Sequence, residues 1–347
     1  MKMMDAIVKP TAGPGLELRQ VPVPTPGPGE VLIKIHKTAI CGTDVHIYDW
    51  NKWSAEHVVP PMTIGHEYVG EICELGEGVN DWKIGQRVSG EGHITCGKCR
   101  ACKTGNLQWC EHTNSVGVQR DGAFAEYLCL PATNLVAISE DIPEDFVSFF
   151  DAFGNATHTA TMYDRFGENV LITGAGPIGI IAAGIACHAG ARRVFITDLV
   201  DFRLDLAKKM GKNIVTVNTK TQNLREIMLQ EGIVDGFDLG FEMSGAAPAV
   251  KQLFGAMKIG GQVSLLGLGN GETNFDFNEI INKGLTIKGI YGRKPDNWFK
   301  MIGMVEGGFD LSPVITHRFH YTEFEKGFEA MHSGMAGKVV LDWTTKK

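Results

Sequence analysis

A chain of 347 residues, 44% hydrophobic and 21% charged, is long enough for two domains with cores of their own and too apolar to be a disordered polypeptide. Its formal net charge of −7, with no clustered basic stripe, argues against a nucleic-acid partner, whose phosphates call for a basic excess. MKMMDAIVKPTAGPGLELRQ has no apolar run of signal-peptide length, which predicts a cytoplasmic protein whose clustered thiols serve metal or catalysis rather than disulfides.

Residues 1–155 read as turn-rich and strand-rich. VPVPTPGPGE is an extended arm, and EVLIKIHKTAI, YVGEICELG and GQRVSG are short strands. Between and beside the strands lie CGTDVH and IGHEYVG. Their Cys41, His66 and Glu67 are a soft, a borderline and a hard ligand, a mixture suited to a zinc that keeps one position open for water or substrate. Gly65 lets the backbone bend so that His66 can turn inward.

GHITCGKCRACKTGNLQWC follows, with four of the chain's eight cysteines in C-x2-C-x2-C-x7-C spacing. Cys96, Cys99, Cys102 and Cys110 can close a tetrahedral shell around a structural zinc. An iron–sulfur cluster is the rival, but in the ferredoxin pattern the fourth cysteine follows after three residues and precedes proline, and Cys110 meets neither condition. Lys98, Arg100 and Lys103 offset the charge of four thiolates. A closed shell has no place for substrate, so this lobe, residues 92–112, is a staple and the chemistry lies elsewhere. Cys73, Cys129 and Cys187 stand in apolar runs and read as buried hydrophobes.

From 156 to 293 strands alternate with helices, the pattern of a doubly wound parallel sheet. VLITGAGPIGIIAAGIACHAGA, Val170 to Ala191, carries no acid, lysine or arginine and is long enough to cross a bilayer. A strand, a glycine turn and a helix buried together explain the same apolarity without lipid. Within it Gly174, Gly176 and Gly179 have GxGxxG spacing. The first permits a tight turn, the second lets backbone approach a pyrophosphate, and the third lets helix and strand pack closely. RRVFITD ends the next strand in Asp198, placed to accept from ribose hydroxyls and to repel a 2′-phosphate, which favours NAD over NADP. Arg203 pulls the other way if it reaches that phosphate. Residues 294–347 return to mixed character, and there is no internal repeat.

With GHEYVGEICELGEGV, the four-cysteine lobe and the glycine turn in this order, the whole chain resembles the zinc-dependent medium-chain dehydrogenases, the alcohol dehydrogenase family. That resemblance implies an α/β fold in which a GroES-like, mostly-β catalytic domain (1–155, completed by 294–347) flanks a Rossmann NAD-binding domain (156–293), with the active site in a cleft. It implies two zinc ions per chain, NAD as cofactor, a small-molecule alcohol or polyol as substrate, no nucleic-acid or membrane partner, and a homotetramer. It makes Cys41, His66 and Glu67 the catalytic zinc ligands, and Thr43 and His46 a proton relay. Asp151 stands where liver-type members carry a cysteine ligand, and an acid there either binds zinc through water or tunes the site. On the coenzyme side the resemblance adds Ile178, Leu266, Gly267, Leu268, Ile290 and Tyr291. His93 is assigned either to the substrate pocket or to support of the zinc lobe.

Overall fold

The computed structural model describes residues 2–269 and 271–344, which form two compact units. The first comprises Met1–Ala152, Lys294–Ile302 and Ile315–Lys347; the second comprises Phe153–Arg293 and Gly303–Val314.

The first unit is built on antiparallel pairing. Met3–Lys9 lies between Glu17–Pro22 and Met62–Thr63 in a three-stranded sheet. A seven-stranded sheet runs Leu135–Ala137, Arg87–Gly90, Tyr68–Leu75, Glu30–Ala39, Lys338–Asp342, Ile315–His320, with Tyr127–Pro131 also paired to Glu30–Ala39. The expected strands EVLIKIHKTAI, YVGEICELG and GQRVSG are its centre. Of the proline arm the first two residues end one strand and Glu30 begins another, the residues between being irregular. The C-terminal strand enters beside Glu30–Ala39, pairing Leu341 with Thr38, so residues far apart in sequence share one core. Ile33, Ile35, Ile72, Val88, Val339 and Leu341 are buried there, each aliphatic side chain contributing roughly 1.5–3 kcal/mol when removed from water.

The second unit is a parallel sheet in the order Ile214–Asn218, Arg193–Asp198, Asn169–Thr173, Phe237–Glu242, Met257–Leu265, Thr286–Gly289. The apolar stretch resolves into the strand Asn169–Thr173 and the helix Pro177–His188, whose run from Gly179 to Ala186 is wholly buried. No described helix is long and apolar enough to cross a membrane. The fold positions the glycine turn and Asp198 at the carboxyl ends of neighbouring strands, since Thr173 pairs with Thr197. Of the three cysteines expected to be buried hydrophobes, Cys129 is buried, whereas Cys73 and Cys187 are only half-buried. Burial still pushes the Cys129 and Cys187 thiols up to about 12.

Candidate active site and metal centres

Cys41 precedes the helix Gly42–Asp49 as its N-cap, and its backbone N–H donates to Asp44 Oδ2 at 2.8 Å. That bond satisfies an orphan donor of the helix start and fixes the cysteine at the helix mouth. Thr43 Oγ1 lies 3.9 Å from Cys41 Sγ. His46, one turn on from Thr43, is exposed, while Asp44 and Ile47 are buried on the adjacent face. Gly65 has φ +91, and a Cβ there would stand 2.1 Å from the Phe124 ring, so glycine alone allows the bend that delivers His66 and Glu67.

The ligating atoms of Cys41, His66 and Glu67 all lie within 4.8 Å of one another. His66 Nδ1 faces Asp44 Oδ1 at 3.6 Å, an ionic approach just beyond hydrogen-bond distance. Asp44 Oδ1, His66 Nδ1 and Glu67 Oε1 are buried with no hydrogen-bond partner among the described residues. Glu67 Oε2 accepts from Lys338, which also donates to the Ile40 carbonyl at 3.1 Å.

The electrostatics ask for a cation. Burial opposes a charge on His66, yet Asp44, Cys41 and Asp151 hold its pKa well above the ordinary value. Burial likewise pushes Glu67 and Asp44 up, while Lys338 is held up by Glu67, Cys41 and Asp151 in spite of its burial. At this site Asp44, Glu67 and Asp151 outnumber Lys338, and three polar atoms lack hydrogen-bond partners among the described residues. The residues therefore fit a divalent metal with mixed sulfur, nitrogen and oxygen donors.

The second cluster brings together Cys96, Cys99, Cys102 and Cys110, again within 4.8 Å. Cys99 Sγ is 3.5 Å from Cys102 Sγ and 3.9 Å from Cys110 Sγ, close to the edge of roughly 3.8 Å expected for four thiolates around zinc at about 2.3 Å. Backbone N–H groups aim at sulfur: Cys96 and His112 donate to Cys110, and Cys99 donates to Cys96. Burial raises the Cys110 thiol, but the N–H groups of Cys96 and His112 together with the Cys102 and Cys96 thiols outweigh it and bring it down to about 6, which favours the thiolate a metal requires. The short helix Arg100–Lys103 and the turn Leu107–Trp109 carry the sulfurs into place.

His93 begins the strand His93–Ile94, paired to Asn114–Ser115 just past Cys110, and its Nδ1 lies 2.7 Å from Glu91 Oε1. The neighbouring Gly92 packs against His66, with its Cβ position 3.8 Å from His66 Cβ. His93 thus lies in the segment joining the two clusters. Asp151 is half-buried in the first turn of the helix Phe150–Ala160.

In the second unit Gly174 has φ +98, and a Cβ on Gly179 would lie 2.0 Å from the Gly174 carbonyl. Gly176 caps the helix and faces open space, with Ile178 in the first turn. Asp198 Oδ2 accepts from the Ala175 N–H at 2.8 Å, while Oδ1 accepts from Leu199 and Val200. Arg203 is half-buried in the first turn of Asp201–Lys208. Leu266, Gly267 and Leu268 follow the strand Met257–Leu265, with Leu268 88% exposed; Ile290 is buried and Tyr291 exposed after Thr286–Gly289. All lie at the carboxyl ends of parallel strands, where such sheets bind dinucleotides.

Sequence reasoning passed over Asp44, Lys338 and the buried Glu242. Asp44 was inside a quoted motif, and a lysine in the apolar run GKVVLDW was a signal for Lys338.

The Alcohol dehydrogenase GroES-like domain family matches residues 27–140, and the Zinc-binding dehydrogenase family matches residues 177–307. The chain belongs to the zinc-binding alcohol dehydrogenase family. Within it, the chain is similar to the L-threonine 3-dehydrogenase of Burkholderia ambifaria strain MC40-6, 54% identical over 342 residues, covering 98% of this chain and 100% of that protein. It is similar also to the L-threonine 3-dehydrogenase of Chromobacterium violaceum, 53% identical over 341 residues at the same coverage. Among solved structures, an E. coli CFT073 alcohol dehydrogenase complexed with NADH aligns with TM-score 0.89 at 25% identity, covering 99% of this chain and 100% of that one. A Sinorhizobium meliloti 1021 zinc-binding dehydrogenase bound to NADP aligns with TM-score 0.90 at 27% identity and the same coverage.

Proposed function

We propose that this protein is an NAD-dependent L-threonine 3-dehydrogenase, oxidising the 3-hydroxyl of L-threonine to 2-amino-3-oxobutanoate with NAD as hydride acceptor. The carrying observation is end-to-end identity above one half to curated enzymes of that activity. The Cys41, His66 and Glu67 cluster supports the chemistry.

Cys41, His66 and Glu67 would hold one zinc, and Cys96, Cys99, Cys102 and Cys110 the other. The first supplies Lewis acidity toward the substrate oxygen. Around it, Asp44 faces His66, and Lys338 holds one oxygen of Glu67 while leaving Oε1 for the metal. Thr43, the hydroxyl beside Cys41, accepts the proton of the substrate hydroxyl as it gives up its own, which His46, exposed one turn on, takes up and releases to solvent. Asp151 tunes the field at Glu67 and His66, and His93 shapes the substrate pocket beside Gly92 and His66.

On the coenzyme side, Gly174, Gly176, Ile178 and Gly179 receive the pyrophosphate at the helix start, and Asp198 takes the adenosine ribose with Arg203 beside it. The turns Leu266–Leu268 and Ile290–Tyr291 receive the nicotinamide end. The catalytic domain is built on 1–155 and 294–347 and the coenzyme domain on 156–293, with the departure that 153–155 and Gly303–Val314 cluster with the second unit. The enzyme works in the cytoplasm as a homotetramer. What supports self-association is the edge strand Thr286–Gly289, mostly exposed, beside the exposed Phe277 and Ile281.

The test is NADH formation by purified protein from L-threonine, L-serine, 2,3-butanediol and sorbitol. Threonine should give the highest kcat/KM. A higher value for either diol or polyol would move the assignment to another secondary alcohol.

A further inference from the structure

Glu242 ends the strand Phe237–Glu242 and is 1% exposed, yet none of the coenzyme residues above includes it. Its strand and Asn169–Thr173 are the two at the centre of the sheet. From Asn169–Thr173 the chain builds toward Ile214–Asn218 on one side, and from Phe237–Glu242 toward Thr286–Gly289 on the other. Between them is the topological switch point, outside which an open parallel sheet binds its ligand.

The acid reaches three connecting segments at that point. Oε1 accepts from the Ser244 N–H at 2.9 Å, the Gly245 N–H at 3.0 Å, the Thr173 hydroxyl at 3.4 Å, and the Ser244 hydroxyl. Oε2 accepts from the Gly245 N–H at 3.1 Å. Its backbone carbonyl accepts from Leu266 and Gly267 at 2.9 and 3.0 Å. The packing leaves no slack: a Cβ on Gly267 would lie 2.2 Å from Gly245 N and 2.5 Å from Glu242 Oε2, and one on Gly174 would lie 2.9 Å from Ser244 Cβ. Every partner of the carboxylate is a donor, which suits an ionised, acceptor-only group; a glutamine would turn an N–H toward one of them.

We propose that Glu242 is a positioning residue for the dinucleotide: its carboxylate ties the Ser244–Gly245 turn to the end of the glycine-turn strand, and its carbonyl ties in Leu266–Gly267. The three segments are thereby set in the one arrangement that receives NAD. This rests on the NAD reading above and is independent of the substrate.

The experiment is a fluorescence titration of the full-length, zinc-replete protein with NADH, for wild type and Glu242→Gln, alongside thermal melting without coenzyme and the KM values for NAD and threonine. Losing one bond to a charged acceptor should raise the NADH Kd and the NAD KM about ten-fold. The coenzyme-free melting temperature should fall by no more than roughly a few degrees, and the threonine KM should stay near wild type. Unchanged NADH affinity in Glu242→Gln overturns the proposal, as does a lowered melting temperature without loss of affinity. Should Glu242→Gln fail to fold, Ser244→Ala removes the hydroxyl arm alone, and about a three-fold weaker Kd is expected, with no change counting against the proposal. Failure of the wild type to bind NADH would overturn the NAD reading instead.

Discussion

Thr43 and His46 share a helix face because they are three residues apart, and Asp44 and Ile47 share the buried one for the same reason. His46 can therefore be removed without touching a ligand, whereas Thr43 lies 3.9 Å from Cys41 Sγ. His46→Ala should keep both zinc ions and NADH affinity while slowing threonine oxidation within the range of about 10²–10⁴-fold typical of acid–base groups. Thr43→Ala should lose at least as much, and Thr43→Ser should recover most of it, as read by steady-state NADH formation with zinc content checked. Full activity in both alanine variants would send the proton by another route. Asp198 is less separable, because its carboxylate accepts from Ala175, Leu199 and Val200 as well as being placed for ribose. Asp198→Ser should weaken both coenzymes by loosening the glycine turn, and still shift the NADP to NAD ratio of kcat/KM toward NADP by about 2–4 kcal/mol, since a ribose contact and a repulsion both disappear. A wild type that already prefers NADP would give the decision to Arg203. At this scale the four-cysteine set is legible because its spacing is local, and Cys41, His66 and Glu67 are legible through their ligand types and the family resemblance of CGTDVH and IGHEYVG. The lysine in GKVVLDW stands out in its apolar run, but its pairing with Glu67, 271 residues away, is hidden.

The lobe and the segment Glu144–Val147 show how short elements are held. The lobe's short helix and turn have little apolar burial, with Cys110 its only buried cysteine, so its geometry rests on the sulfurs and on N–H groups aimed at them. Cys110→Ser should remove one zinc per chain and lower the melting temperature, leaving turnover in the fraction that folds; metal analysis and melting curves check this. Glu144–Val147 is fastened to the strand Glu30–Ala39 by His36 Nδ1 to Glu144 at 2.7 Å and by Lys37 to Asp145 at 2.6 Å. Glu144 raises the pKa of His36, with Glu71 helping and Lys34 opposing, and His36 lowers that of Glu144, with Arg87 helping. The pair's stabilisation is therefore complete between the usual carboxylate and imidazole ranges. It fades as pH rises through the raised value of His36 and as pH falls through the lowered value of Glu144. Thermal melts of wild type and His36→Gln should differ by about 1 kcal/mol near pH 6, with the gap closing toward pH 9. A gap independent of pH would leave only packing.

For the molecule as a whole, the alternation of strands and helices across 156–293 made the parallel sheet legible, since buried parallel strands read as continuous apolar runs. The mostly-β unit was legible strand by strand but not in its pairing. Nothing in GKVVLDW announces that it lies between Glu30–Ala39 and Ile315–His320, because register in a sheet is set by tertiary packing. Self-association is a prediction at this scale: light scattering should give a tetramer, and charges placed at Ile281 and Phe277 should dissociate it if that edge is the contact, whereas a wild-type monomer would remove the need for it.

In the proposed reaction a hydride leaves carbon 3 of threonine for NAD at a site built on Cys41, His66 and Glu67. The most direct measurement is the mass of the reduced coenzyme formed from L-threonine deuterated at carbon 3. The account predicts NADH heavier by one deuterium, formed by wild type and absent with Cys41→Ala. Unlabelled NADH, labelled NADH undiminished in Cys41→Ala, or no NADH from threonine while another alcohol is oxidised would contradict it.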